Sequence, residues 1–147
     1  MRLRLLAVGK LKQAGLEALV DDYRKRSRAL LPIELQWLRD MDGLRAKSPA
    51  GSRGSGPRRR VVLDERGQQI DSEALAGWLG SWRDQGVREV DFLIGDAHGF
   101  TPADREGADR VLALSKLTLP HRLAQVLLVE QLYRAGTILA GHPYHHR

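Results

Sequence analysis

The chain opens with a segment that is unsuited to a surface. Arg2 to Val8 carries Leu3, Leu5 and Ala7 on one face of a strand and Leu6 and Val8 on the other. Both faces must be covered, as in a parallel sheet between helix layers. The following residues alternate in kind. Leu16, Leu19, Val20, Tyr23 and Leu30 recur at helical spacing, Pro32 ends that pattern, and Ile33, Leu35 and Trp37 alternate with Glu34 and Gln36 as a second strand. Arg60–Leu63 predicts a short third strand, with a turn over Asp64–Gly67. Asp71 or Ser72 caps a helix burying Leu75, Trp78, Leu79 and Trp82, with Gly86 past its end. Val90–Ile94 reads as a strand, and Thr101-Pro102-Ala103-Asp104 opens a short helix. Val111–Ser115 is the last strand, and the last helix runs from His121 to Ala140, with Gly141 beyond it. Strands alternating with helices predict an α/β fold, a mostly parallel sheet flanked by helices, as one domain over residues 1–147.

Charge is unevenly spread. Of 24 Lys and Arg, six lie in Leu44–Arg60 with no acid among them, and the other 18 meet 18 Asp and Glu. The Gly, Ser and Arg composition of this stretch predicts a mobile basic loop over residues 42–59 that touches phosphate. The chain has no cysteine, no run of apolar residues of membrane-spanning length, and a basic start without a cleavage site. These features predict a soluble, unprocessed, cytoplasmic protein with no membrane association. His142, His145 and His146 lack a nearby acid to complete a metal site, so no metal is expected. Glu130 and Arg134 are spaced for an ion pair. The last helix is apolar nearly all round, which predicts burial on several sides and a homodimer.

In an open α/β sheet, ligands bind beyond the carboxyl ends of the strands. Three segments reach that edge: Leu63, the glycine loop Gly95–Gly99, and Leu114–Pro120. Leucines 114, 117 and 119 can sandwich a flat ring while neighbouring amides read its rim. The Gly-x-x-x-Gly spacing differs from the dinucleotide fingerprint, which disfavours a nicotinamide cofactor.

These segments, with Leu5-Leu6-Ala7-Val8-Gly9-Lys10, Glu130-Gln131-Leu132-Tyr133-Arg134-Ala135 and His142-Pro143-Tyr144-His145, resemble the large-subunit rRNA pseudouridine N3-methyltransferases of the SPOUT superfamily over nearly the whole chain. The resemblance implies a C-terminal trefoil knot, S-adenosylmethionine as cofactor, and paired subunits that complete each other's sites. By motif it assigns the cofactor to Leu63, Gly95, Leu114, Ser115, Lys116, Leu117, Thr118 and Leu119. His121, Tyr144, His145 and Arg147 become candidates for holding the target base and managing its N3 proton. The implied partner is 23S rRNA in the ribosome. Two other readings are a SPOUT enzyme acting on tRNA and a non-catalytic ribosome-binding protein. Asp96 stands where the family usually has a second glycine, and His98 where an acid or other polar residue is common.

Overall fold

The computed structural model describes residues 1–51 and 54–146. Five strands, β1 (Arg2–Val8), β2 (Ile33–Leu38), β3 (Arg58–Gln68), β4 (Glu89–Ile94) and β5 (Arg110–Leu112), form one parallel sheet in the order β2-β1-β4-β3-β5. The helices are α1 (Ala14–Ser27), α2 (Met41–Lys47), α3 (Ser72–Asp84), α4 (Pro102–Glu106) and α5 (His121–Ala140).

Strand periodicity divides the core. Leu3, Leu5, Val61, Val90 and Phe92 bury one sheet face with Val20, Leu79, Leu128 and Leu132, from α1, α3 and α5. Leu6, Val62 and Leu93 bury the other face with Leu44 of α2 and with Phe100 and Ala108, which flank α4. β1 is covered on both sides, as its sequence predicts.

The capping signals hold. Asp71 accepts from the Ala74 amide at 2.8 Å, and Gly141 ends α5 at φ 70°. Thr101 and Asp104 form a reciprocal capping box at α4, with Pro102 in the first turn. Asp104 also takes a bidentate pair from Arg45, both contacts 2.9 Å. That guanidinium, aided by the Thr101 donors, holds the Asp104 carboxyl below the usual carboxylate range. Stability from a depressed carboxyl is present above its unfolded pKa and is lost as pH falls through the folded value. Asp104→Ala should therefore cost about 1 kcal/mol at neutral pH and less as pH approaches the folded pKa. Urea unfolding at several pH values checks this.

The basic segment departs from its prediction. Instead of a loop over residues 42–59, α2 fills Met41–Lys47, and Arg58 and Arg59 already belong to β3. Asp40 caps α2 through the Gly43 amide at 2.8 Å. Most of the charge is spent internally. Arg45 pairs with Asp104, and Arg58 with Glu89 at 2.7 Å. Buried Arg59 donates to the carbonyls of Gly54, Ser55 and Gly56, and buried Arg60 lies against the Gly107 carbonyl. Nearby, Arg4 grips the fully buried Asp91 at 2.7 and 2.8 Å, and Ser48 donates to the same carboxylate at 2.6 Å. This ties the end of α2 to the sheet. Four of the six cations in this stretch are thus engaged within the chain, while Lys47 is exposed and Arg53 lies outside the described residues.

The third strand also runs longer than expected. Asp64–Gly67 stays strand-like rather than turning, with a register irregularity that pairs Leu112 with both Leu63 and Gln68. β3 therefore arcs over the end of β5. The fifth strand is correspondingly short, because residues 113–120 leave the ladder to form a loop.

Candidate functional site

The carboxyl ends of β3, β4 and β5 open into a cleft of about 610 Å³. Its walls are three segments, one a strand end and two loops. The arc of β3 contributes Leu63 to Arg66, the β4 end contributes Ile94 to Phe100, and the segment before α5 contributes Leu114, Ser115 and Leu117 to His121.

Each loop is shaped by its own short-range bonds. Beyond β4, the Asp96 carboxylate accepts the His98 amide at 3.0 Å, and the Asp96 carbonyl accepts the Gly99 amide at 3.0 Å. Gly99 closes the turn at φ 73°, a left-handed backbone that favours glycine. Asp96 thus organises the loop. Before α5, the Ser115 hydroxyl accepts the Leu117 amide at 2.9 Å, and the Thr118 hydroxyl donates to Glu65 at 3.2 Å. That second bond joins the α5 entry to the β3 arc. Arg105 fastens the far wall by donating to the Phe100 carbonyl at 2.7 Å and meeting Asp64 at 3.4 Å.

The lining suits an amphiphilic molecule. Leucines 63, 114, 117 and 119 with Ile94 supply apolar surface, while Glu65 and Asp96 supply negative charge and Asp64 is paired with Arg105 and Arg66. Leu117 is 76% exposed, an apolar side chain open to whatever enters. Asp64, Glu65 and Arg66 line the cleft, although their composition predicts a turn. The signal for them was period two, because Val61, Leu63, Glu65 and Gly67 continue one strand face beyond the apolar part.

The structure gathers most of the predicted cofactor set here. Leu63, Gly95, Leu114, Ser115, Leu117, Thr118 and Leu119 line the cleft, and Lys116 is exposed in the same loop without lining it. Among the four candidates for handling the target, His121 lines the cleft and is exposed. Tyr144 and His145 do not reach it within this chain. The Tyr144 ring stands edge-on to Tyr133 at 4.7 Å, and its hydroxyl donates to Glu130 at 3.1 Å. Burial, with hydrogen bonds to Tyr23 and Glu130, pushes the Tyr144 phenol up to about 12. It is a neutral donor at physiological pH. His145 lies 3.1 Å from both Arg134 and Glu73. Arginine can only donate, so Nδ1 accepts and Nε2–H points to Glu73. Both ring nitrogens of His145 are occupied. Arg147 lies outside the described residues.

His145 lines a second cavity of about 460 Å³ with Glu73, Leu127 and Gln131, and the two cavities share Leu112 and Leu114 as a common wall. Glu130 and Arg134 form the expected ion pair at 2.6 Å. Trp82 is buried as a core residue, whereas Trp78 is partly open, with Arg110 over its ring at 5.3 Å. Among the described residues, no group of three or more His, Asp or Glu side chains is placed to hold a metal ion. No helix among them is long and apolar enough to cross a membrane.

Comparison with known proteins agrees with this geometry. A family model described as predicted SPOUT methyltransferase matches residues 1–145. A protein of Geobacter metallireducens named ribosomal RNA large subunit methyltransferase H is 43% identical over 153 residues, covering 99% of both chains. Its namesake in Sphingopyxis alaskensis is 43% identical over 145 residues, covering 99% of this chain and 96% of that one. Among solved structures, a probable methylase family protein of Haemophilus influenzae shares the fold at a TM-score of 0.58 and 10% identity, covering 95% of this chain and 66% of that one. A parallel sheet with a leucine-lined cleft at its carboxyl edge, matched from Met1 to His145 by one family, leaves a single assignment: the chain belongs to the SPOUT methyltransferases.

Proposed function

We propose that this chain is an rRNA methyltransferase that uses S-adenosylmethionine to methylate N3 of a pseudouridine in the 23S rRNA of the ribosome. The observation that carries the reading is full-length likeness to rRNA large-subunit methyltransferases combined with a cleft built from the motif residues. The residues fit the cofactor. The cleft volume lies within the range of roughly 300–1,000 Å³ of small-molecule sites, and its leucines can hold the adenosine while its acids favour a sulfonium. When bound, S-adenosylmethionine supplies a methyl group on positively charged sulfur.

The remaining work falls to the protein. Leu63, Leu114, Leu117 and Leu119 exclude water from the ring, and Ser115 and Thr118 fix the loop that carries them. A nucleophilic nitrogen must be held in line, and its proton must leave. His121, exposed at the cleft, is the residue assigned to face the incoming base. Tyr144 donates a hydrogen bond from its phenol to Glu130 away from this chain's own cleft, so in this reading it serves the site of a paired subunit, by orienting the target. The reading includes the C-terminal knot, cytoplasmic location and a homodimer. Leu123 and Leu127, 45% and 44% exposed one turn apart on α5, support pairing of subunits.

Labelled cofactor should transfer methyl to ribosomes assembled without the modification and not to bulk tRNA. Transfer to tRNA alone would move the target. Ribosome binding without cofactor binding in calorimetry would replace the enzyme with a non-catalytic binder.

A further inference from the structure

Among the described residues, several exposed cations carry no ion pair, and three of them lie outside the stretch where the sequence concentrates charge. Lys10 and Lys12 lie in the turn between β1 and α1, and Arg39 follows β2. All three are exposed, and among the described residues none has a carboxylate within ion-pair distance. The nearest acid in sequence, Asp40, is engaged in capping α2.

Backbone contacts set these residues beside the cleft. The Gly9 amide donates to the Leu38 carbonyl at 3.2 Å, joining the Lys10 turn to the Arg39 turn. Gln125 of α5 donates to the Gly9 carbonyl at 3.3 Å. A Cβ at Gly9 would lie 3.5 Å from the His121 ring, which itself lines the cleft. The turn that carries Lys10 and Lys12 thus lies beside the turn that carries Arg39, and Gly9 links both to His121 at the mouth of the site.

A second observation singles out Lys12. It is the one non-glycine residue, among those described, with positive φ, at 55°. Glycine or asparagine would occupy that backbone at less cost, so a lysine held there stores strain in a surface turn. Strain retained at an exposed position is characteristic of functional sites.

We infer that Lys10, Lys12 and Arg39 form the phosphate-binding rim that seats the RNA backbone beside the target nucleotide, in place of the basic segment 42–59. The inference rests on the rRNA reading above and adds the docking surface to it. Phosphate contacts fix register without reading sequence, which is what an enzyme needs when it must bring one base to a fixed cleft.

The test compares two triple variants with equal loss of charge. Lys10→Gln/Lys12→Gln/Arg39→Gln removes the rim. Lys25→Gln/Arg28→Gln/Arg88→Gln removes three exposed cations at the amino-terminal edge of the sheet. Binding to 23S rRNA is followed by filter retention across a salt series, and methyl transfer is followed separately. The rim variant should raise KM for ribosomes about tenfold and lower the salt slope by about two to three. Its kcat and its affinity for S-adenosylmethionine should stay within twofold of the parent, and the control triple should move neither KM nor slope by more than a third of the rim effect. Equal effects from both triples would reduce the rim to net charge, and an unchanged salt slope in the rim variant would overturn it outright. Lys12→Gly adds an opposed pair of readouts: its melting temperature should hold or rise while RNA affinity falls. Should the parent bind RNA but transfer no methyl, the enzymatic reading fails while the salt series still decides the rim.

Discussion

Gly67→Ala is expected to destabilise the protein by about 3 kcal/mol, roughly 10 °C in melting temperature for a chain of this size. A Cβ at Gly67 would fall 2.5 Å from the Val111 carbonyl oxygen and 2.8 Å from the Leu112 carbonyl carbon. Both are backbone atoms of β5 and its exit, so no rotamer change relieves the clash. The strands must part where β3 arcs over Leu112, and that arc carries Asp64, Glu65 and Arg66 into the cleft. Loss of stability should therefore come with loss of cofactor binding. Two other glycines calibrate the claim. At Gly80 the contact is 2.9 Å to the tip of the Leu139 side chain, which can swing away. At Gly77, on α3, nothing lies within 4 Å, so alanine should stabilise by roughly 0.5–1 kcal/mol through helix propensity. Thermal melts of the three single variants should rank Gly67 far below Gly80, with Gly77 above the parent. A Gly67→Ala protein as stable as its parent would mean that the crossing of β3 over β5 is wrongly described.

That crossing also marks where the sequence stops being informative. Local chemistry was legible: the two-sided burial of β1, the Thr101–Asp104 box and the glycine stop at Gly141 each depend on neighbours in the chain. The cleft was legible too, because Leu63, Gly95 and Leu114–Leu119 end at one sheet edge by topology, and the family resemblance named the same residues. What failed depended on distant partners. Asp64–Gly67 has turn composition, yet Arg105, 41 residues away, neutralises Asp64 and lets the strand continue. The basic run 44–60 gave no sign that Asp104, Glu89 and three loop carbonyls would absorb its guanidinium groups. The contacts that hold Tyr144 and His145 within this chain, from Glu130, Arg134 and Glu73, are not announced by sequence spacing either.

Gly95 carries the second large prediction, and the structure changes its cause. For a glycine that lines a cofactor cleft, the simplest expectation is that an added side chain enters the pocket and blocks the cofactor directly. Gly95 does line the cleft, but a Cβ there would point to Phe100 at 3.2 Å and to Met41 at 3.3 Å. Those residues belong to the small core beneath the cleft, with Leu44, Val62 and Leu93. Met41 also receives the Asp96 amide on its sulfur at 3.4 Å, so the glycine loop rests on it. Gly95→Leu would push four carbons into that packed cluster and lift residues 96–100 off Met41. We expect cofactor affinity to fall at least a hundredfold, equivalent to about 3 kcal/mol, while the larger core around β1, α1 and α5 keeps the chain folded. Calorimetric titration with S-adenosylmethionine reads the loss, and circular dichroism confirms the fold. Because the route runs through the core, a space-making partner should repair it. Gly95→Leu with Met41→Ala should recover part of the lost affinity, whereas direct obstruction of the cleft would leave the double variant as weak as the single one. Undiminished affinity in Gly95→Leu would place the cofactor somewhere other than this cleft.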